Sequence, residues 1–209
     1  MKNINQEGEI KNVIKSLLHL QAQINLIITT LNSTFDSEKI LKQIDFETYP
    51  NKISYQTSVN TLLSNYSIIM FTSFLEEYNK KFTSSFVGNM YDERITRLKQ
   101  KNKPGIRRIN KWKDIFKFRN HLVAHGLRIN NRSLFSYSDK ELNFKIPDTN
   151  SEKNLFNGII YLICLNIRDE FIDVVKEIDP QVSPFDKFFI ISEVVDCERE
   201  LMDIFDKIR

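Results

Sequence analysis

The segment from Phe118 to Gly126, FRNHLVAHG, holds an arginine, an asparagine and two histidines within nine residues. Arg119 stays cationic at any usable pH and presents a planar fork of donors to phosphate oxygens. Histidine changes its protonation near neutrality and can move protons. Arg119, Asn120 and His125 therefore indicate a phosphate-handling site that needs neither metal nor cofactor. The structural alternative is that His125 only caps the carbonyl groups at a helix end before Gly126.

The residues leading into this segment form the most basic part of the chain. Between Arg94 and Arg119 there are eleven Lys or Arg and one acid, a net charge of +10, whereas residues 141–209 carry a net charge of −7. This separation is typical of a polyanion-binding surface, although charge runs also occur on solvated helix faces. We expect RNA to contact these residues: Arg107, Arg108, Lys111, Lys113 and Lys117.

Arg119 and His125 are six positions apart, which places them about 240° apart around an ideal helix axis, so the two cannot share one helix face. Either the helix unwinds near Gly126, or a second copy completes the site across a two-fold axis. We favour the homodimer. A protonated imidazole at a helix C-terminus is stabilised by the helix dipole and can act as a general acid. With Arg119 stabilising transition-state charge, this supports attack of an RNA 2′-OH on its own phosphate, giving a 2′,3′-cyclic phosphate.

Several neighbouring residues have two readings. His121 and His125 have the i, i+4 spacing of zinc-binding helices, but Leu122 replaces the required Glu and there is no third ligand, so no metal is expected. His121 is then a surface or interface neighbour of the site. Asn120 orients the imidazole or binds phosphate, or else it simply faces water. Glu76 either pairs with Arg119 or faces water, and the sequence favours water. Trp112 is expected in the core rather than as a base-stacking platform.

Few glycines and prolines and apolar residues at three- and four-residue spacing predict an all-α fold, a bundle of four to five long helices with short accessory helices, in a single domain spanning residues 1–209. A breaker, Lys101 to Gly105, should separate two helices. Segments 133–137 and 141–146 could pair as a hairpin. The expected helices cover residues 7–31, 36–44, 56–86, 91–99, 107–124, 152–178 and 183–207.

The chain lacks a transmembrane-length apolar run and a secretory h-region near its first residues, which predicts a cytoplasmic protein without membrane association. Cys164 and Cys197 lie within apolar helical patterns and have no C-x-x-C spacing. We therefore expect both to be reduced core thiols.

The stretch Arg119-Asn120-x4-His125-Gly126, following a basic amphipathic helix, resembles the HEPN superfamily, whose motif is an Arg and a polar residue placed four to six positions before a His. The resemblance implies a helical bundle, frequent homodimers with a composite site, and metal-independent RNA cleavage in toxin-antitoxin, abortive-infection and other prokaryotic defence systems. Its catalytic residues would be Arg119 and His125, accompanied by Asn120. Glu76, in Ser73-Phe74-Leu75-Glu76, would match the acidic helix of several members.

One departure from the family pattern concerns the residue two positions after the histidine. Some members carry a Tyr there that receives a nucleotide from an antitoxin, whereas this chain has Leu127. Neutralisation by that route is therefore not expected, although an antitoxin or another defence partner is. The alternatives to an enzyme are a non-catalytic RNA- or protein-binding helical module and a bundle that recruits a basic protein through its acidic C-terminal region.

Overall fold

The all-α prediction is confirmed by the structure, a computed structural model that describes residues 2–33, 52–123, 128–129, 132–133 and 144–178. Long helices dominate this part of the chain, and the described residues up to Ile178 form one compact unit. The elements are α1 (Lys2–Asn32), α2 (Lys52–Glu76), a π-helical segment (Glu77–Phe82), α3 (Asp92–Ile109), α4 (Ile115–Val123), β1 (Arg128–Ile129), β2 (Arg132–Ser133), α5 (Asn150–Glu170) and α6 (Ile172–Glu177).

Helix α1 packs against both α2 and α5. Its apolar residues recur every three or four positions, as the sequence indicates, and Ile10, Ile14, Leu17 and Ile24 are completely buried. Each such side chain stabilises the fold by about 1.5 to 3 kcal/mol relative to an exposed position. Helix α1 is therefore the apolar centre of the bundle rather than part of the site.

Aromatic rings fill the space between α2, α5 and the segment that follows α3. Phe71 and Phe156 stack with ring centroids 4.1 Å apart, and Trp112 stacks on Phe156 at 5.2 Å. Trp112 is only 4% exposed, which confirms its predicted place in the core and excludes it as an open platform for a base. Cys164 is also buried and reduced, and burial raises the pKa of its thiol to about 12.

The long second helix changes its hydrogen-bonding pattern at Glu76. Residues Glu77–Phe82 form a π-helical segment in which each amide bonds five residues back, and Thr83 N donates to Tyr78 O at 2.9 Å immediately after it. The predicted continuous helix over residues 56–86 is therefore wrong in its last part. Tyr78 and Phe82 are buried within the π-helical segment, so core packing compensates for its less favourable geometry.

The predicted breaker at Lys101 to Gly105 is wrong, because α3 runs continuously through Pro104. Proline costs the helix one backbone hydrogen bond, but tertiary contacts compensate for this loss. Gly105 lies so close to α5 that an added Cβ would meet Ile159 Cγ2 at 2.8 Å. Buried Asn102 donates to Tyr78 Oη at 3.1 Å and accepts from Asn166 Nδ2 at 2.7 Å. Contacts across the bundle thus outweigh the local breaker signal.

The break that the sequence places at Pro104 occurs instead at residues 110–114, so the predicted helix over residues 107–124 is divided between the end of α3 and α4. The predicted helix over residues 152–178 is also divided, because Phe171 separates α5 from α6. Helix α5 begins with a capping box in which Thr149 and Glu152 satisfy each other's backbone amides.

A two-residue antiparallel pair occupies the loop after α4, with Arg128 opposite Ser133 and Ile129 opposite Arg132. It differs from the predicted hairpin of segments 133–137 and 141–146. Residues 134–143 lie outside the described residues, and 144–146 belong to no strand. The predicted helices at 36–44 and 183–207, as well as Cys197, also lie outside them. The single-domain assignment for residues 1–209 stays a prediction.

Candidate functional site

Arg119 forms an ion pair with Glu76, its partner from the end of α2. Arg119 Nη1 donates to Glu76 Oε2 at 2.7 Å, and the two side chains are 24% and 32% exposed. Helix α4 packs against α2, and this contact brings the two residues together from 43 positions apart in the sequence. The sequence favours a Glu76 side chain that faces water, whereas in the structure Glu76 pairs with Arg119.

Glu76 has a second cationic neighbour, Lys80, whose Nζ lies 3.2 Å from Glu76 Oε1. Partial burial raises the pKa of the Glu76 carboxyl, but hydrogen bonds from Arg119 and Lys80 outweigh it and the net pKa lies below its ordinary value. Glu76 is therefore ionised at neutral pH, and Arg119 is held beside a carboxylate. The π-helical segment begins at the next residue, and such segments often occur at functional sites.

Asn120 holds the other edge of the Arg119 guanidinium. Its Oδ1 accepts from Arg119 Nε at 3.3 Å and from Nη2 at 3.1 Å. The guanidinium carbon also lies 5.7 Å from the centroid of the Phe116 ring. Glu76 and Asn120 together fix the orientation of Arg119, so Asn120 positions the arginine. Its predicted contact with an imidazole or a phosphate stays a prediction.

The opposite side of α4 packs on Phe144. The rings of Phe118 and His121 lie 5.3 and 5.8 Å from the Phe144 ring, and Lys117 Nζ lies 5.5 Å from its centroid. His121 is partly buried beside this ring rather than on the Arg119 side of the helix. Among the described residues, no contact therefore joins His121 to Arg119.

His125, the predicted proton-transfer residue, lies outside the described residues together with Gly126 and Leu127. Helix α4 (Ile115–Val123) approaches it in sequence, and β1 starts at Arg128. The prediction that His125 completes the site with Arg119 therefore stays a prediction, as does the homodimer that would bring a second copy to it.

The predicted RNA-binding cations do not lie on one helix. Arg107 and Arg108 end α3, Lys111 and Lys113 lie in the turn before α4, and Lys117 is within α4. The structure places Arg108 and Lys111 around a common cleft, and Lys117 lies beside Phe144. Among the described residues, no contact joins Arg107 or Lys113 to the cleft or to Phe144.

The single acid of the basic run, Asp114, organises the backbone next to α4. Its Oδ2 accepts from Lys145 N at 2.9 Å, while Asp114 N donates to Lys145 O at 3.2 Å. These two bonds bring Lys145 from the polar loop to the basic turn. Asp114 therefore adds a cation to this region instead of neutralising one.

No family model, curated protein or solved structure matches this chain. Function must therefore be argued from its own residues. Among the described helices, none has both the length and the apolar character to cross a membrane. In the same part of the chain, no cluster of three or more His, Cys, Asp or Glu could hold a metal ion.

Sequence reasoning missed two residues of the site region. Lys80 lies four positions after Glu76, and that helical spacing alone could have indicated the pair. Lys145 had no such signal, because 31 residues separate it from Asp114 and only the folded chain brings the two segments together.

Proposed function

We propose that this chain is a metal-independent endoribonuclease that uses Arg119 and His125, with Asn120 and Glu76 as positioning residues. The observation that carries the proposal is the fixed guanidinium. Arg119 is held on one side by Glu76 at 2.7 Å and on the other by Asn120, six positions before a histidine. A pre-oriented arginine loses little side-chain freedom when it binds a phosphate, which favours its use at a transition state.

The proposed reaction transfers the phosphate within the RNA strand. A base removes the proton of a 2′-OH, and the 2′-oxygen attacks the adjacent phosphorus. The bond from phosphorus to the 5′-oxygen breaks, and that oxygen takes a proton from an acid. An imidazole can perform either proton transfer, which typically contributes about 10² to 10⁴ in rate. Arg119 would stabilise the added charge on the phosphate oxygens.

This proposal also includes the partners that the HEPN resemblance implies. They are a second copy of the chain, which would complete the site, and an antitoxin or defence protein that controls cleavage. A cytoplasmic location belongs to the same proposal, because RNA targets and such regulators meet the protein there.

The test is cleavage of an RNA whose product end reports a 2′,3′-cyclic phosphate, in EDTA, with wild type, Arg119→Ala and His125→Ala at equal folded concentration. His19→Gln is the matched control, since His19 lies on α1, which packs mainly against α2 and α5. We expect cleavage by wild type and by His19→Gln, a loss of at least about a hundredfold in the other two, and no cleavage of DNA. Equal cleavage by His125→Ala would exclude the proposed chemistry.

One observation favours a second candidate, a non-catalytic RNA-binding module. Glu76 already compensates the charge of Arg119, and breaking that pair would oppose any gain at the transition state. In this case the protein binds RNA with strong salt dependence and leaves it intact. Bound but uncleaved RNA in the assay above, with correctly folded wild type, would select this function.

A further inference from the structure

The basic turn between α3 and α4 borders a cleft that sequence analysis did not anticipate. It has a volume of about 330 Å³ and is lined by Arg108, Lys111, Trp112, Lys145, Ile146 and Glu152. Three of these residues are cations and one is an acid, a net charge of +2. The volume is at the lower end of the range for small-molecule sites, roughly 300 to 1,000 Å³. It suits a phosphate group with part of the attached sugar.

The three cations have no acidic partner among the described residues, unlike Arg119 with Glu76. The ion pairs in this part of the chain involve other lysines and arginines. Lys111 and Lys145 are exposed, so their ammonium groups are open to a ligand. An approaching anion therefore need not displace a carboxylate from any of them.

Arg108 is oriented before any ligand arrives. Its guanidinium carbon lies 4.1 Å from the Trp112 ring centroid, a cation–π contact that restricts the side chain. Trp112 is itself held, because it stacks on Phe156 and its Nε1 donates to Glu152 Oε1 at 3.2 Å. The cleft thus has a rigid wall formed by an indole and an oriented arginine.

The one acid of the cleft, Glu152, is occupied by the protein. Its Oε2 accepts from the backbone amides of Asp148 at 3.1 Å and Thr149 at 3.2 Å, while Oε1 accepts from Trp112. Its carboxylate is therefore committed to the N-terminus of α5, and the cations dominate the field in the cleft.

We propose that this cleft binds a phosphate group through Arg108, Lys111 and Lys145, at a position separate from Arg119. Three converging cations suit a phosphate, which offers several charged oxygens, better than a single carboxylate. Lys117 and Arg119 lie about 200° apart around α4. Lys117 contacts Phe144, the chain neighbour of Lys145, whereas Arg119 contacts Glu76. Lys145 therefore lies on a different side of α4 from Arg119. The phosphate belongs either to an RNA strand or to a mononucleotide. The first source rests on the proposed function.

The test measures binding without cleavage. A labelled, fully 2′-O-methylated RNA strand cannot undergo 2′-OH attack, so its anisotropy reports binding whether or not the protein is a ribonuclease. Lys111→Gln and Lys145→Gln should each weaken binding several-fold and reduce the slope of log affinity against log salt by about 0.7. Lys176→Gln, an exposed lysine within α6 and outside the basic run, is the matched control and should leave the slope unchanged.

A second arm identifies the source of the phosphate. Trp112 is the single tryptophan of the chain, so its emission reports occupancy of the cleft directly. Saturable quenching by 5′-AMP that is lost in Lys111→Gln and Lys145→Gln would support a mononucleotide, whereas quenching by the strand alone would support RNA. The proposal is overturned if neither ligand quenches, if the quenching survives unchanged in both variants, or if polyglutamate competes as well as the ligand that quenches.

Discussion

At the scale of single residues, the pair of Glu76 and Arg119 decides what the candidate site can do. A partly buried ion pair fixes the guanidinium but also compensates its charge. The sequence predicts a role for Arg119 from its local spacing to His125, and that role stays a prediction. The sequence could not identify the pairing of Glu76, because this depends on how α2 and α4 pack, and nothing within either helix specifies that contact.

The pair should contribute measurably to stability, in a manner that depends on pH. In a double-mutant cycle of Glu76→Gln and Arg119→Gln, we expect a coupling of about 0.5 to 1 kcal/mol in urea unfolding at pH 7. Because the folded state lowers the Glu76 pKa, the unfolded state binds more protons. The contribution is therefore present above the usual carboxyl pKa of 4.5 and is lost as pH falls below it.

Lys80→Gln is the control for that cycle. Lys80 contacts the same carboxylate but is 72% exposed, so its coupling to Glu76 should be smaller than that of Arg119. Equal couplings for the two cations, or a coupling to Arg119 that persists unchanged at pH 3, would contradict the assigned role of the pair.

At the scale of elements, the close contact between α3 and α5 explains why the helix tolerates Pro104 and Gly105. The sequence correctly predicts α1, the body of α2 and most of α5, because their apolar spacing is strong and local. It fails at residues 101–114, where the breaker signal lies five to thirteen positions before the break itself. Helix contacts with α5 and the buried Asn102 determine that outcome, and both depend on residues far away in sequence.

Two glycine substitutions test this account. Gly158→Ala, in the interior of α5 with nothing within 4 Å of an added Cβ, should stabilise the protein by about 0.5 to 1 kcal/mol through helix propensity. Gly105→Ala would place its Cβ 2.8 Å from Ile159 Cγ2 and should instead destabilise by about 1 to 3 kcal/mol.

Thermal and urea unfolding of the two variants would measure the difference. Ile159→Val retains Cγ2 and is not informative, but Ile159→Ala removes it. In that background Gly105→Ala should lose most of its cost. Similar stability changes for Gly105→Ala in both backgrounds would show that the contact is not responsible.

At the scale of the whole molecule, charge is distributed unevenly, and the catalytic proposal includes a second copy of the chain. The basic run contributes residues from two helices and a turn, so its cations form separate groups rather than one stripe. Arg119 is compensated by Glu76, whereas the cations of the cleft are not. The proposed phosphate binding and the proposed catalysis therefore involve different parts of the surface and can be tested separately.

Mixing two inactive variants tests the composite site. If each site takes Arg119 from one copy and His125 from the other, Arg119→Ala and His125→Ala mixed in equal amounts should recover about a quarter of the wild-type sites. Each mixed dimer then has one intact site. Cleavage of the reporter RNA after subunit exchange measures the recovery. Activity of wild type without recovery on mixing would indicate a site within one copy.

The π-helical segment has a consequence for how related chains would differ in length. A π-turn holds about one residue more than an α-turn, so Glu77–Phe82 has the form of a single-residue insertion in a continuous α-helix. A homologue lacking that residue would keep Phe71, Phe74 and Glu76 in register but rotate the following side chains by about 100°. Phe82 and Phe86 would then leave the core, so such a deletion requires compensating changes at both positions.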